Sequence, residues 1–433
     1  VKPLRHLVAM WQGDSPSLIV LGRIVVAGLA LVSAPIIARA IGPEGRGETA
    51  TAAALAYLLP VVLGLGIPIE VRRRLAGTGD ASVLRTARIV AAMLFPFGLV
   101  LAWIAYGSIF STFESQARIW ASLLLVLAPL TVSWLSDTSA YLATGRLRSY
   151  FAIQVTQPTV YLLGVLVFWL SGAATTATVL TSSATATVVT FLVGIFLSRS
   201  LPRRTPVRVL SLVRGGVRFA GAGIAEAVAN RIDQVIVLPL IGAVQAGYYS
   251  VAVTIGTVPL AFAHALGSRY FNALSSAVAA GEEDLTVIKG RSFRSSLAVG
   301  LLIAGCLATA SPMAIPLLFG QGFAPAVVPT LVALVGSVFM VAAYVASLLL
   351  AAEARGGRMT VAQVVSAAVG VGALTILGPM LGALGAALAS VVGYLVLLLL
   401  GGLFLRLRGV DWLVRPGDFA RGMHDLLRGS RER

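Results

Sequence analysis

Residues 215–249 read GGVRFAGAGIAEAVANRIDQVIVLPLIGAVQAGYY, a segment apolar enough to cross a bilayer that nevertheless carries Glu226, Asn230, Arg231, Asp233 and Gln234. At a helical repeat of 100° per residue, Glu226, Asn230 and Asp233 form one stripe, with Gln234 and then Arg231 further round. The polar arc covers a little under half the helix and cannot face lipid. Counting about 1.5 Å per residue back from Ile241, Arg231 lies roughly 15 Å deep, about halfway through a hydrocarbon core of about 30 Å. A cation at that depth costs from about 3 to over 10 kcal/mol, so it faces a water-filled cavity or a partner. Two readings stand for Arg231: a substrate contact, or a structural salt bridge between helices. Asp233, with about eight residues between it and Ile241, lies roughly 12 Å down and reads as the partner of a cavity cation or as the site of a coupling ion. Glu226 joins it as a coupling candidate.

The rest of the chain has the composition this segment demands. Of 433 residues, 58% are hydrophobic and 12% charged, and the mean hydropathy of +0.92 lies far outside the soluble range. Windows of about 20 apolar residues predict an all-α integral membrane protein with twelve spans, near 17–40, 48–71, 87–110, 118–143, 149–171, 174–198, 215–241, 247–271, 293–319, 325–351, 360–381 and 383–405. The polar start of the chain predicts no cleaved leader. Threaded from an inside N-terminus, these spans put 28 Lys and Arg residues on the inner side and only Arg39, Arg46 and Arg118 on the outer, with Arg23 and Arg231 within spans. Both termini are therefore expected in the cytoplasm. The net charge of +16 reads as this asymmetry plus contact with anionic inner-leaflet lipids, not as nucleic-acid binding. The one cysteine, Cys306, excludes a disulfide framework and a thiolate metal site, and its apolar span suggests a small core residue.

A repeat organises the spans. Ile41, Gly42 and Gly47 match Ile241, Gly242 and Gly247 at an offset of 200, while Arg146 and Gln154 match Arg355 and Gln363, and Phe110 matches Phe319, at an offset of 209. Two parallel halves of six spans follow, at residues 1–205 and 206–405, joined through the basic connector Ser198–Arg214 and followed by a basic tail at 406–433. Prolines at 35, 60, 96, 129, 158, 239, 259, 312, 316 and 329 interrupt the spans and are bending candidates. The hydroxyl-rich sixth span and the small residues of the twelfth read as close helix packing.

Other polar residues within spans carry two readings each. Arg23, near the inner end of span one, either snorkels to the interface or serves function. Glu70 and Asp137, near the inner ends of spans two and four, are either a cytoplasmic gate or surface ion pairs with Arg72–Arg74 and Arg146, worth under about 1 kcal/mol. His264 is a coupling candidate or a packed histidine.

Three stretches carry a resemblance: ARAIGPEGRGETATAAALAYLLPVVLGLGIPIEVRRRLAG (38–77), NRIDQVIVLPLIGAVQAGYYSVA (230–252) and LLFGQGFAPAVVPTLVAL (317–334). The chain resembles, nearly end to end, the polysaccharide and lipid-linked oligosaccharide flippases of the multidrug/oligosaccharidyl-lipid/polysaccharide exporter superfamily. The resemblance implies two six-helix lobes around a central cavity lined largely by spans 1, 2, 7 and 8, with Arg23 and Arg231 on two of them. It implies movement of an undecaprenyl-diphosphate-linked saccharide to the outer leaflet of the cytoplasmic membrane by alternating access, with no bond made or broken and no cofactor. A polysaccharide polymerase and glycosyltransferases are the functional partners it suggests. An arginine fork suits a diphosphate better than a lysine, and Asn230, Gln234, Gln154 and Tyr248 are the candidate sugar contacts.

The alternatives have their own signatures. Cation-coupled drug exporters of the same superfamily typically carry an acid in the first span, and none stands between Ser17 and Ala40. A major-facilitator transporter should carry Asp-Arg-x-Gly after span two, where this chain reads GIPIEVRRRLAG. A membrane enzyme would need paired acids in its outer loops, which offer only Glu44 and Glu114, or a nucleotide loop or metal cluster, of which there is none.

Overall fold

The computed structural model describes residues 14, 17–202, 207–280 and 285–428. Lys2, Arg5, Arg203, Arg204, Arg431 and Arg433 of the charge tally lie outside them. The described residues are helical almost throughout, in two compact units, Val1–Ala227 and Val228–Arg433. In chain order the helices are α1 Ser17–Leu63, α2 Ile67–Thr78, α3 Ser82–Met93, α4 Phe95–Gly107, α5 Ser115–Val126, α6 Ala128–Thr144, α7 Leu147–Leu170 and α8 Thr176–Ser198. Then come α9 Val209–Ile241, α10 Ala243–Gly256, α11 Val258–Ala279, α12 Thr286–Phe319, α13 Val327–Ala352, α14 Gly356–Leu381, α15 Ala383–Leu405 and α16 Pro416–Arg428. The unit boundary falls inside α9.

Nine helical stretches among the described residues are long and apolar enough to span a bilayer, and α5 with α6, bent by 44°, makes a tenth. Two legs of α1 on either side of Gly42 count as one stretch here. Helix α9 fails on charge alone, because every eighteen-residue window within it holds at least three charged residues. Counting both legs and α9 restores the twelve spans read from sequence.

Two boundaries move. The expected turn at 41–47 narrows to one residue: two helical legs meet at Gly42, which leaves helical geometry at φ 69°, ψ −176°. That conformation is open only to glycine, and Gly242, its match at offset 200, adopts φ 82°, ψ 165°. The second correspondence is also conformational. Arg146 and Arg355 both precede the first turn of a helix, and Gly145 and Ala354 before them both take positive φ, 69° and 57°. Span two, expected to run to residue 71, stops at Leu63, and α2 is a separate short helix.

Three of the prolines are the breaks. Pro96, Pro129 and Pro259 each stand in the first turn of a helix that begins directly after a one-residue interruption, at Leu94, Leu127 and Thr257. A proline lacks the N–H that would bond back and its ring strikes the carbonyl four residues earlier, so the preceding helix ends there. Pro35, Pro60, Pro158, Pro239, Pro312 and Pro316 stay inside continuous helices, and Pro329 lies in the first turn of α13.

Packing follows membrane logic, in which small residues let helices approach closely. In α8, Thr181, Ser182, Thr187 and Thr190 return their hydroxyl protons to carbonyls four residues back. In α15, a Cβ on Gly385 would sit 1.9 Å from the Leu377 carbonyl oxygen of α14. The first unit is cored by Ile67, Leu84, Trp134, Tyr141, Ile153 and Leu212, the second by Leu266, Phe293, Val345, Leu349 and Leu405. Cys306 corrects its expectation: it is exposed on α12 rather than packed in a core, an inside-out arrangement that lipid, itself apolar, permits.

Candidate functional site

Helix α9 delivers its polar residues to two different environments. Glu226 and Asn230 are exposed, whereas Arg231, Asp233 and Gln234 are half-buried. Arg231 Nη1 donates to Gln234 Oε1 at 3.1 Å, three residues along the same helix.

Asp233 is the centre of a cluster. The Tyr249 hydroxyl of α10 donates to Asp233 Oδ2 and lies 2.7 Å from Ser390 Oγ of α15. Tyr394, one turn beyond Ser390, stands close enough to interact electrostatically with the same carboxylate. Asp233 Oδ1 is buried and accepts no hydrogen bond from a described residue. The cluster thus ties three helices of the second unit to one acid that retains an open acceptor.

The sequence singled out Tyr248, but its ring packs edge-on against Phe323 with centroids 6.3 Å apart, and the neighbour Tyr249 meets the acid. Asp233 precedes Gly242 by nine residues and Tyr249 follows it by seven, so a sharp break at that glycine sets them at similar depth. That near-equidistance holds for Tyr248 as well, so it did not single out Tyr249. Nothing in the spacing pointed to Ser390 or Tyr394.

The other candidates are dispersed. Arg23 is exposed on the first leg of α1. Gln154 Nε2 lies 3.3 Å from the Tyr150 hydroxyl on its own helix. His264 packs edge-on against Tyr344 at 4.6 Å between centroids.

Glu70 and Asp137 are not surface acids, which corrects the expectation of exposed pairs. Both side chains have 0% exposure. Glu70, in the first turn of α2, accepts from Arg73 Nε and Nη2 at 2.7 Å each and from Arg74 Nε at 2.6 Å. The Arg73 hydrogen bonds hold its carboxyl below the usual range, Arg74 adding to them, against the opposing effect of burial. Asp137 pairs not with Arg146 but with Arg88, whose Nη2 donates to Asp137 Oδ1 and to Ser198 Oγ at 2.6 Å each. Arg146 turns instead to Ser200 Oγ at 2.7 Å. A buried pair of this kind is costly to break from one side, about 3–5 kcal/mol.

Sequence reasoning passed over several charged groups. Lys289 pairs with Glu353 at 2.8 Å, and Arg294 with Asp411 at 2.6 Å. Among the described residues, no group of three or more His, Cys, Asp or Glu side chains is placed to hold a metal ion.

A family model described as polysaccharide biosynthesis protein matches residues 14–270, more than half of the chain. No curated protein sequence matches it. Among solved structures, a lipid II flippase MurJ in an inward closed conformation superposes with a TM-score of 0.72 at 11% identity, over 95% of this chain and 91% of that one. An inward-facing multidrug resistance MATE family transporter of the MOP superfamily superposes with a TM-score of 0.70 at 13% identity, over 94% of this chain and 96% of that one. A further MOP superfamily transporter, from Pyrococcus furiosus, gives 0.58 at 14% identity over 96% of each chain. At these identities the likeness is one of fold.

Proposed function

Since this chain belongs to the polysaccharide biosynthesis protein family and has the MOP exporter fold, we propose that it translocates an undecaprenyl-diphosphate-linked saccharide from the inner to the outer leaflet of the cytoplasmic membrane by alternating access. Both termini are then cytoplasmic, and the two six-span halves are the moving lobes. The observation that carries the reading is Arg231: a half-buried guanidinium about 15 Å from the end of its helix, held by Gln234. A diphosphate entering a layer of low dielectric needs such a cation, while the polyprenyl tail stays in lipid.

Asp233 supplies the coupling. Its open oxygen, with Tyr249 and Ser390 fixing the other side of the carboxylate, offers a place for a proton or a small cation. Arg23, Asn230, Gln234, Tyr248 and Gln154 remain the proposed saccharide contacts, and Glu226, Glu70, Asp137 and His264 the proposed gating or coupling residues. The drug-exporter alternative is disfavoured by the absence of an acid between Ser17 and Ala40.

The test separates charge from shape at Arg231. Arg231→Lys keeps a cation without the fork and should retain partial export, whereas Arg231→Ala and Arg231→Gln should accumulate lipid-linked saccharide on the inner leaflet. Export is measured per folded molecule, with folding judged by size exclusion. Normal specific export by folded Arg231→Ala would overturn the phosphate contact. Loss of folded protein in step with export would make the arginine structural.

A further inference from the structure

Helix α2 is held against the start of α9 by an approach that only glycines allow. A Cβ on Gly216 would meet the Leu65 carbonyl oxygen at 2.7 Å, and one on Gly215 would meet Glu70 Oε1 at 2.3 Å. Arg74 Nη2 completes the contact by donating to the Ser211 carbonyl at 2.7 Å and to Ser211 Oγ at 2.9 Å. Beside this junction, wholly within the first unit, lies a cavity of about 390 Å³.

Its charge is one-sided. Arg73, Arg74, Arg208, Arg214 and Arg218 line it against a single acid, Glu70, which already serves Arg73 and Arg74. Arg208, Arg214 and Arg218 are exposed, and among the described residues none of them is paired with a carboxylate. Arg214 and Arg218 stand four apart on α9, a like-charge spacing that weakens a helix by a few tenths of a kcal/mol. Among the described residues Glu70 is the single acid on the cavity wall, and its ion pairs are with Arg73 and Arg74, so the remaining repulsion favours an anion from outside. The first turn of α9, with Leu210 and Ser211 on the cavity wall, adds the positive end of a long helix.

We propose that this cavity binds the phosphate headgroup of a membrane lipid. Guanidinium forks match phosphate oxygens two at a time, and basic pockets at the inner ends of spans take anionic headgroups. A lipid, in preference to a soluble phosphate, fits the setting: Leu210 and Val217 are 60% and 50% exposed beside the arginines, an apolar flank for an acyl or prenyl chain. Arg231 is not among the lining residues, and the proposal stands whatever cargo the protein moves.

The experiment uses the full chain in detergent, stripped of lipid and titrated with short-chain phosphatidylglycerol, phosphatidylcholine or inorganic diphosphate, with binding read by native mass spectrometry. Phosphatidylglycerol should bind the wild type in preference to phosphatidylcholine. Replacing Arg208, Arg214 and Arg218 together by Gln should weaken it at least about tenfold, the loss expected of a charge-assisted hydrogen bond. The same charge removed at exposed Arg85, Arg291 and Arg358 should leave binding within about twofold of wild type, a change of under about 0.5 kcal/mol. Arg214→Glu alone, on an exposed side chain, should reproduce the loss and gives a second reading if the triple variant aggregates. Equal losses in the cavity and control triples would mean diffuse attraction and overturn the site. Diphosphate binding that phosphatidylglycerol fails to displace would overturn the lipid assignment.

Discussion

Asp233 shows how a membrane span carries a carboxylate. One oxygen accepts a hydrogen bond from the Tyr249 hydroxyl, which itself lies 2.7 Å from Ser390 Oγ, so part of the acid's demand is met from α10 by a group that α15 helps to hold. Tyr249→Phe removes that donor and leaves a buried acceptor unmet, a loss of about 1–3 kcal/mol. A lower melting temperature for Tyr249→Phe in detergent is the expected result; an unchanged one would show that the cluster contributes nothing to stability. Asp233→Asn should instead keep expression and folding while reducing export, and wild-type export at every pH tested would remove Asp233 from the mechanism. At this scale the sequence was partly legible. Depth and helical phase singled out Arg231 and Asp233, because both follow from counting along one helix. The choice of Tyr249 over Tyr248 did not follow, because the phase of α10 is set by the backbone at Gly242.

Among the elements, the segment after Leu405 departs most from its sequence impression. By arginine count it is a basic tail, yet Asp411, Asp418 and Asp425 stand seven residues apart and face inward. Arg294 of α12 pairs with Asp411 at 2.6 Å and approaches Asp418 at 3.5 Å, and Arg269 of α11 meets Asp425 at 3.1 Å. Asp418 also accepts the Arg415 N–H at 2.9 Å, capping the start of α16. Asp418→Ala leaves the cap open and one partner of Arg294 missing, with an expected cost of about 1–3 kcal/mol. A thermal shift below wild type and faster proteolysis after Leu405 are expected; a variant as stable and as protease-resistant as wild type would mean that α16 is not held by these acids. Summing charge hid the segment's structure, whereas the heptad spacing of its acids announced it. Prolines behaved similarly: of the ten placed within spans, Pro96, Pro129 and Pro259 stand in the first turn after a one-residue break.

For the whole molecule, hydropathy was enough for an all-helical integral membrane protein, because lipid forces every backbone group to bond within its own segment. The matched glycines at 42 and 242, and the matched residues at 145 and 354, share positive φ. Which side chains meet was less legible, since the contacts of Asp137 with Arg88 and of Tyr249 with Ser390 join residues far apart in sequence. The most direct measurement reconstitutes the purified chain into liposomes carrying a fluorescent undecaprenyl-diphosphate saccharide in one leaflet. The probe's arrival in the other leaflet is followed with an impermeant quencher, under imposed proton, sodium or electrical gradients. Protein-dependent translocation that Arg231→Gln abolishes and Arg231→Lys slows is the expected result. Translocation no faster than in protein-free liposomes under every gradient, from vesicles holding folded protein, would contradict it.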